Sequence, residues 1–190
     1  MANRMDTNRQ EKRKLAVLWP GRNYSCDKPL LYYAGKVFEK RGYEVIRLRY
    51  QALLGGDKDD IAGLIEEAKQ YVRQELQNVD FSVYDDIVFV SKSMGTALAG
   101  YFEGVYHLNV RHIFLTPVQE ALPYMRMGRC IVVAGKEDRI LESRKLKIYC
   151  VEQDIPLKQF EEVGHSMEHP DDMNKTFAVL MVMIRLYKEF

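Results

Sequence analysis

Short apolar segments rich in valine and isoleucine alternate along the chain with longer segments of helical spacing. Six of the apolar segments predict β-strands, and the central ones are apolar at nearly every position. A continuous apolar run indicates a strand buried on both faces, as in a parallel sheet covered by helices. The predicted strands are Leu15–Pro20, Tyr43–Tyr50, Asp86–Ser91, Arg111–Thr116, Cys130–Gly135 and Pro156–Val163.

The segments between the strands carry apolar residues three and four positions apart, which predicts helices that pack on a sheet. The predicted helices are Lys28–Arg41, Asp60–Asn78, Ser93–His107, Gln119–Met127, Leu141–Asp154 and Asp171–Phe190. For the first of them we expect Asp27 as the N-cap, with Pro29 in the first turn, where its missing N–H has no cost. The alternation of strands and helices predicts a three-layer α/β/α sandwich with about six mostly parallel strands.

The length of 190 residues suits one core, and no shift in composition divides the chain. We expect a flexible tail at residues 1–13 and a single domain at residues 14–190. Three cysteines, Cys26, Cys130 and Cys150, include no CxxC pair, so the sequence suggests neither a disulfide framework nor a zinc site.

Charge and hydropathy limit the kinds of partner that the sequence predicts. The 28 Lys and Arg residues nearly balance the 27 Asp and Glu residues, and a net charge of +1 gives no field that would steer the chain onto nucleic acid. The basic start lacks the apolar stretch of a secretory signal, and no run of about 18 apolar residues occurs. The sequence therefore predicts a cytoplasmic protein that binds neither nucleic acid nor membrane, and it is compatible with a homodimer.

The strongest local signal is the segment VFVSKSMGTALAG, in which a buried strand runs into Ser91-Lys92-Ser93-Met94-Gly95 and then into a helix of small residues. A sharp strand-to-helix turn of this kind exposes a nucleophilic Ser93 hydroxyl, and only small residues fit two positions to either side. The usual pattern is G-x-S-x-G, and Ser91 stands at the first glycine. Taken alone, the segment is equally compatible with Ser93 as the N-cap of a tightly packed helix.

A serine nucleophile needs a base to take its proton and an acid to orient the base. The strand Cys130–Gly135 is followed by Lys136-Glu137-Asp138, and the last strand is followed by Gly164-His165. We expect Asp138 as the acid, with Glu137 as the alternative, and His165 as the base in preference to His169. His107 and His112 are less well placed because they lie near the amino end of a strand.

These features resemble the α/β-hydrolase superfamily, in which Ser, Asp and His follow in this chain order, and in particular its compact dienelactone-hydrolase-like and carboxylesterase-like members. The resemblance covers nearly the whole chain and implies a sheet that lacks the two amino-terminal antiparallel strands. Only residues 117–129 separate the strand after the nucleophile from the next, which leaves no room for a lid.

The oxyanion hole is expected to use two backbone N–H groups. That of Met94 lies at the start of a helix, where it has no partner within the helix. The resemblance implies a second donor in the loop Pro20-Gly21-Arg22-Asn23-Tyr24, with the N–H of Arg22 as the first choice and that of Asn23 as the fallback. The family often has His-Gly in this loop, and here the histidine is missing.

The sequence says less about the substrate than about the candidate catalytic residues. Asn23, Tyr24 and Lys92 are the candidate substrate-binding residues. Positive charge at Arg22, Lys28 and Lys92 would favour a carboxylate or phosphate on the substrate, although the sequence favours solvated surface charge for each of them taken singly. Cys26 lies in the predicted oxyanion loop, but no base is evident beside it, which favours an unreactive buried thiol.

The function that we predict is hydrolysis of a small carboxylic ester or thioester by a Ser-His-Asp triad, through an acyl-enzyme and without metal or organic cofactor. One alternative is a non-catalytic binding protein with the same fold. A second is an acyltransferase, in which an alcohol or amine takes the acyl group. A doubly wound nucleotide binder is the weakest alternative because the sequence contains neither GxGxxG nor GxxxxGK[ST].

Overall fold

The computed structural model describes residues 12–55 and 60–190. One parallel sheet of six strands, in the order β2-β1-β3-β4-β5-β6, forms its centre. The strands are β1 (Lys14–Trp19), β2 (Glu44–Arg47), β3 (Asp86–Lys92), β4 (Val110–Leu115), β5 (Cys130–Gly135) and β6 (Leu157–Phe160). The predicted six-stranded parallel sheet is confirmed. Of the tail predicted at residues 1–13, residues 1–11 lie outside the described residues.

Helices cover both faces of the sheet, as predicted. They are α1 (Pro29–Lys40), α2 (Ile61–Leu76), α3 (Met94–Val105), α4 (Ser143–Glu152) and α5 (Met173–Glu189). Helices α1 and α5 pack on one face, while α2, α3 and α4 pack on the other. No helix within the described ranges combines the length and apolar character needed to cross a bilayer.

The side chains of β1 show how the sequence builds two cores. Leu15, Val17 and Trp19 point to the face covered by α2 and α3, while Ala16 and Leu18 point to the face covered by α1 and α5. All five are fully buried. Alternate residues of a strand point to opposite faces, so a strand that is apolar throughout is suited to the middle of a three-layer sandwich.

The helix predicted at Gln119–Met127 is wrong in type and length. The structure has a 3-10 helix at Gln119–Tyr124, with Pro123 inside it. Proline lacks the N–H that an α-helix interior needs, and its ring collides with the preceding turn. The apolar spacing of this short segment therefore produces a tight connection between β4 and β5 instead of an α-helix.

The N-cap predicted for α1 is also wrong. Lys28 occupies the N-cap position without a capping side chain, and Asp27 is exposed. Pro29 does begin the helix, and the next free N–H, that of Leu30, donates to the hydroxyl oxygen of Tyr24 at 3.0 Å. A tyrosine from the loop after β1 thus does what we had expected of Asp27, and it fixes that loop to the helix.

The sheet order places a crevice between β1 and β3. The chain leaves β1 towards β2 on one side and returns to β3 on the other side of β1, so the connections diverge at the carboxyl ends of β1 and β3. Ligands of open parallel sheets bind at such a switch point. The loop that begins at Pro20 and the turn at Ser93 meet there.

Candidate active site

Ser93 occupies a sharp turn between β3, which ends at Lys92, and α3, which begins at Met94. Its backbone has φ 55° and ψ −128°, a conformation that a residue with a side chain rarely adopts. The Ser93 N–H donates to the carbonyl oxygen of Leu115 at 3.0 Å, and the Ser93 carbonyl oxygen accepts from the Thr96 N–H at 2.9 Å. The Ser93 side chain makes no capping hydrogen bond, so the hydroxyl is not used as an N-cap.

Small residues around this turn are required by close backbone approaches. A β-carbon on Gly95 would lie 2.5 Å from the carbonyl oxygen of Pro20, and one on Gly21 would lie 3.0 Å from the β-carbon of Ser93. Ser91, which replaces the first glycine of the usual pattern, is fully buried, and its hydroxyl donates to the Ile113 carbonyl oxygen at 3.4 Å. Ser91 is thus accommodated as part of the sheet.

Ser93, His165 and Asp138 form one hydrogen-bonded line. Ser93 Oγ lies 2.8 Å from His165 Nε2, and His165 Nδ1 lies 2.8 Å from Asp138 Oδ2. The other carboxylate oxygen of Asp138 accepts from the Ile140 N–H at 2.9 Å. The Asp138 carboxylate accepts a hydrogen bond from Nδ1–H of His165. Nε2 of the neutral imidazole therefore carries no proton and can accept the one from Ser93.

The three residues differ in exposure in a way that suits this arrangement. The Asp138 side chain is 2% exposed, whereas the His165 side chain is 27% exposed. A buried carboxylate is fixed by its neighbours and interacts strongly with the imidazole, while the imidazole itself remains open to the crevice. Each residue follows the carboxyl end of a different strand, namely β3, β5 and β6.

The alternative acid and base that the sequence offers lie elsewhere. The Glu137 side chain is exposed, and its N–H donates to the Val163 carbonyl oxygen at 3.0 Å. His169 Nδ1 accepts from the backbone N–H groups of Asp171 and Asp172, at 3.2 and 3.0 Å, just before α5. Neither side chain takes part in the line that contains Ser93.

The other two histidines lie away from Ser93. His112 is buried on β4, and its Nε2 lies 3.2 Å from Glu103 Oε2. His107 follows the end of α3 and is exposed. The structure therefore brings His165 alone among the histidines to the turn at Ser93.

The two residues predicted for the oxyanion hole flank the turn. Met94 is the first residue of α3, so its N–H has no acceptor within the helix. Gly21 and Tyr24 form an antiparallel bridge, in which the Gly21 N–H donates at 3.0 Å and the Tyr24 N–H at 3.3 Å. The N–H groups of Arg22 and Asn23 lie at the tip of that bridge and are not used by it. Their role as oxyanion donors stays a prediction.

A cavity of about 390 Å³ opens over Ser93 and His165. All the predicted substrate-binding residues, Asn23, Tyr24 and Lys92, line it. Ile61, Ile140 and Glu168 also line the cavity, although the sequence did not single them out. Ile140 and Glu168 closely follow Asp138 and His165 in their loops, whereas Ile61 begins α2, which no local pattern links to the strand ends. Glu168 brings a negative charge to the same cavity as Arg22 and Lys28, so its lining carries charges of both signs.

Lys92 is not the solvated surface charge that we considered. It is 1% exposed, and its Nζ donates to Thr116 Oγ1 at 2.5 Å and to the His165 carbonyl oxygen at 2.8 Å. Burial lowers the pKa of Lys92 to about 7, although the charges of Asp138 and Glu168 oppose this change. The burial of Lys92 could have been inferred from its position, because Lys92 ends a central strand that is buried on both faces.

Cys26 has the properties of an unreactive thiol. It is buried, and its Sγ lies 3.5 Å from the carbonyl oxygen of Leu18 and 3.4 Å from that of Leu48. Burial raises the pKa of the Cys26 thiol to about 12, so little thiolate forms near neutral pH. Among the described residues, no group of three or more His, Cys, Asp and Glu side chains is arranged to hold a metal ion.

Comparison with known proteins shows likeness in structure alone. Neither a protein-family model nor a curated protein sequence matches the chain significantly. An α/β serine hydrolase without a lid from Xanthomonas campestris is 14% identical, with 92% of this chain and 82% of that chain covered and a TM-score of 0.55. An α/β serine hydrolase homologue from Coxiella burnetii is also 14% identical, with coverage of 92% and 84% and a TM-score of 0.60.

Another similar structure is Est1E from Butyrivibrio proteoclasticus, solved with ferulic acid bound. It is 13% identical to this chain, the match covers 98% of this chain and 91% of that chain, and the TM-score is 0.63. Identities this low show a shared fold and nothing finer. The chain therefore has the α/β-hydrolase fold, in its form without a lid.

Proposed function

We propose that this protein is a serine hydrolase that cleaves a small carboxylic ester or thioester. The observation that carries the proposal is the line of hydrogen bonds from Ser93 Oγ through His165 to Asp138, with both distances at 2.8 Å. The line lies at the switch point of an α/β-hydrolase fold, beside a cavity large enough for a small acyl group.

In the first half-reaction, Ser93 Oγ attacks the carbonyl carbon of the substrate while its proton passes to His165 Nε2. Asp138 stays ionised and stabilises the imidazolium through Nδ1–H. The carbonyl oxygen becomes an oxyanion, for which the N–H groups of Met94 and Arg22 are the proposed donors. The tetrahedral intermediate collapses, the leaving alcohol or thiol takes the proton from Nε2, and the acyl group remains on Ser93 as an ester.

In the second half-reaction, water replaces the leaving group. His165 Nε2 takes a proton from the water as its oxygen attacks the acyl-enzyme carbonyl. Collapse of the second intermediate returns the proton to Ser93 Oγ and releases a carboxylic acid. Over both half-reactions one water is consumed, and an alcohol or thiol and a carboxylic acid are released.

The cavity favours a substrate with an apolar portion. Tyr24, Ile61 and Ile140 supply apolar surface near the nucleophile. Arg22, Lys28 and Glu168 line the same cavity, and this mixture of signs gives no added support to a strictly anionic substrate. We therefore propose an acyl group that is small and largely apolar.

The test is hydrolysis of a short p-nitrophenyl ester by the full chain and by two serine variants. Ser93→Ala should lower kcat by at least about 1,000-fold, because it removes the nucleophile. Ser91→Ala is the matched control: it changes a serine two residues away that hydrogen-bonds within the sheet, and turnover should persist. Full activity in folded Ser93→Ala protein would overturn the proposal.

A further inference from the structure

Three successive carbonyl oxygens fix the backbone of the loop that carries His165. The Val163 oxygen accepts from the Glu137 N–H at 3.0 Å, and the Gly164 oxygen accepts from the Met167 N–H at 3.1 Å. The His165 oxygen accepts from Lys92 Nζ at 2.8 Å. The first donor is a backbone group of the loop after β5, and the second is a backbone group of the His165 loop itself. The third is a side chain on the residue that precedes Ser93.

The backbone conformation of the loop that carries His165 depends on hydrogen bonds of this kind. Glu162 and Met167, which lie on either side of His165, have φ of 57° and 65°. Positive φ is costly for residues with side chains and persists only where the surroundings enforce it. The direction of the imidazole therefore depends on contacts that hold this segment of backbone in place.

From this geometry we propose that Lys92 is a positioning residue, which ties the backbone of His165 to the strand that carries Ser93 and so holds the imidazole over the serine hydroxyl. The proposal rests on the proposed function and adds to it a residue that does not itself touch the substrate carbonyl. Lys92 and Ser93 are adjacent in sequence, so one short segment presents the nucleophile and positions its base.

The surroundings of Lys92 support a specific role. Besides the His165 carbonyl oxygen, the Lys92 ammonium donates to Thr116 Oγ1, and it lies 5.1 Å from the centre of the Tyr24 ring. Burying an ammonium group costs folding free energy, and an apolar side chain of equal length would avoid that cost. Burial lowers the pKa of Lys92 to about 7, and the neutral amine can still donate an N–H to the His165 oxygen.

The first test compares Lys92→Met with Thr116→Val in the full chain. Methionine keeps the length of the side chain but has no donor, so the thermal midpoint should change little while kcat falls about 100-fold and KM is nearly unchanged. Thr116→Val removes the other acceptor but leaves the contact with His165, and it should retain most of the activity. Equal losses in the two variants would overturn the proposal.

A second test uses chemical rescue, which a loss of packing would not mimic. Lys92→Ala leaves a space beside the cavity, and propylammonium has the atoms that the substitution removes beyond the β-carbon. Added propylammonium should restore turnover with saturation, whereas propionitrile, which has as many heavy atoms but no hydrogen-bond donor, should not. Absence of rescue in a folded variant whose turnover has fallen would count against a role for the amino group.

A third measurement separates this proposal from the proposed function. The proton between His165 Nδ1 and Asp138 should give a low-field NMR signal, which can be recorded without any substrate. We expect Lys92→Met to lose or shift this signal, and Lys92→Ala to regain it with propylammonium. If the unmodified protein has no esterase activity, the proposed function fails, and the NMR comparison alone decides: an unchanged signal in Lys92→Met would overturn the role of Lys92.

Discussion

The carbonyl oxygen of Val163 lies so close to Gly135 that a β-carbon on Gly135 would be only 2.0 Å from it. Gly135 is the last residue of β5 and leads to Asp138, while Val163 leads to His165. The approach therefore brings the loop that carries Asp138 against the loop that carries His165. The glycine is required here by lack of space.

This contact predicts that Gly135→Ala will displace the His165 loop. The added methyl group meets backbone atoms of Val163 and Gly164, which cannot rotate away as a side chain would. We expect a loss of about 1–3 kcal/mol in the free energy of unfolding, together with a fall in kcat. Urea denaturation and ester turnover measure the two effects.

The control for that substitution is Gly104→Ala. Gly104 lies in α3, and a β-carbon there would have no neighbouring atom within 4 Å. Alanine is the better helix former, so the variant should be as stable as the parent or more stable by up to about 1 kcal/mol. Comparable losses in both variants would show that the close approach at Gly135 is not the cause.

Comparison of Asp138→Asn with Glu137→Gln tests which of the two carboxylates orients His165. An amide in place of the Asp138 carboxylate stabilises the wrong tautomer of His165, and kcat should fall by about 1,000- to 10,000-fold in a protein that still folds. Glu137 has an exposed side chain, so its amide variant should keep nearly full activity. The reverse order of effects would assign the acid to Glu137.

A buried pair away from the active site predicts how stability depends on pH. His112 is 2% exposed; burial lowers its pKa, and the neighbouring Glu103 only partly opposes this change. In the unfolded chain the histidine binds a proton as pH falls below about 6.5, while in the folded chain it resists protonation. Its contribution is therefore present above pH 6.5 and is lost as pH falls through the lowered pKa.

Replacing His112 by Gln should make the free energy of unfolding fall less between pH 8 and pH 5 than it does in the parent protein. Denaturant titrations at the two pH values measure this difference. His107→Asn is the control, because it removes an exposed histidine with φ 51°, a conformation that asparagine tolerates. A parent-like pH dependence in His112→Gln would contradict the assignment.

The sheet could be predicted from the sequence because its strands are apolar at nearly every position. The strand Cys130–Gly135 has the predicted bounds, since turn residues limit it on both sides. The helix predicted at Gln119–Met127 failed because apolar spacing does not register the missing N–H of Pro123. The cap predicted at Asp27 failed because its competitor, the Tyr24 hydroxyl, reaches Leu30 only in the folded loop.

The features of the candidate site likewise divide into those that the sequence could predict and those that it could not. The places of Ser93, Asp138 and His165 could be inferred from chain order, because the carboxyl ends of parallel strands meet at one edge of a sheet. The partners of Lys92 could not, since Thr116 and His165 lie 24 and 73 residues away in the sequence. Contacts of that separation depend on strand order and loop conformation, which no local pattern specifies.

Covalent labelling of the folded full chain with a fluorophosphonate, followed by mass spectrometry of its peptides, tests directly whether Ser93 is the nucleophile. We expect one adduct, on Ser93, which is absent in Ser93→Ala and forms far more slowly in His165→Ala because the proposed base is gone. A known serine hydrolase in the same reaction shows that the probe is active. No adduct on Ser93, or equal labelling rates in the parent and in His165→Ala, would show that Ser93 is not a nucleophile activated by His165.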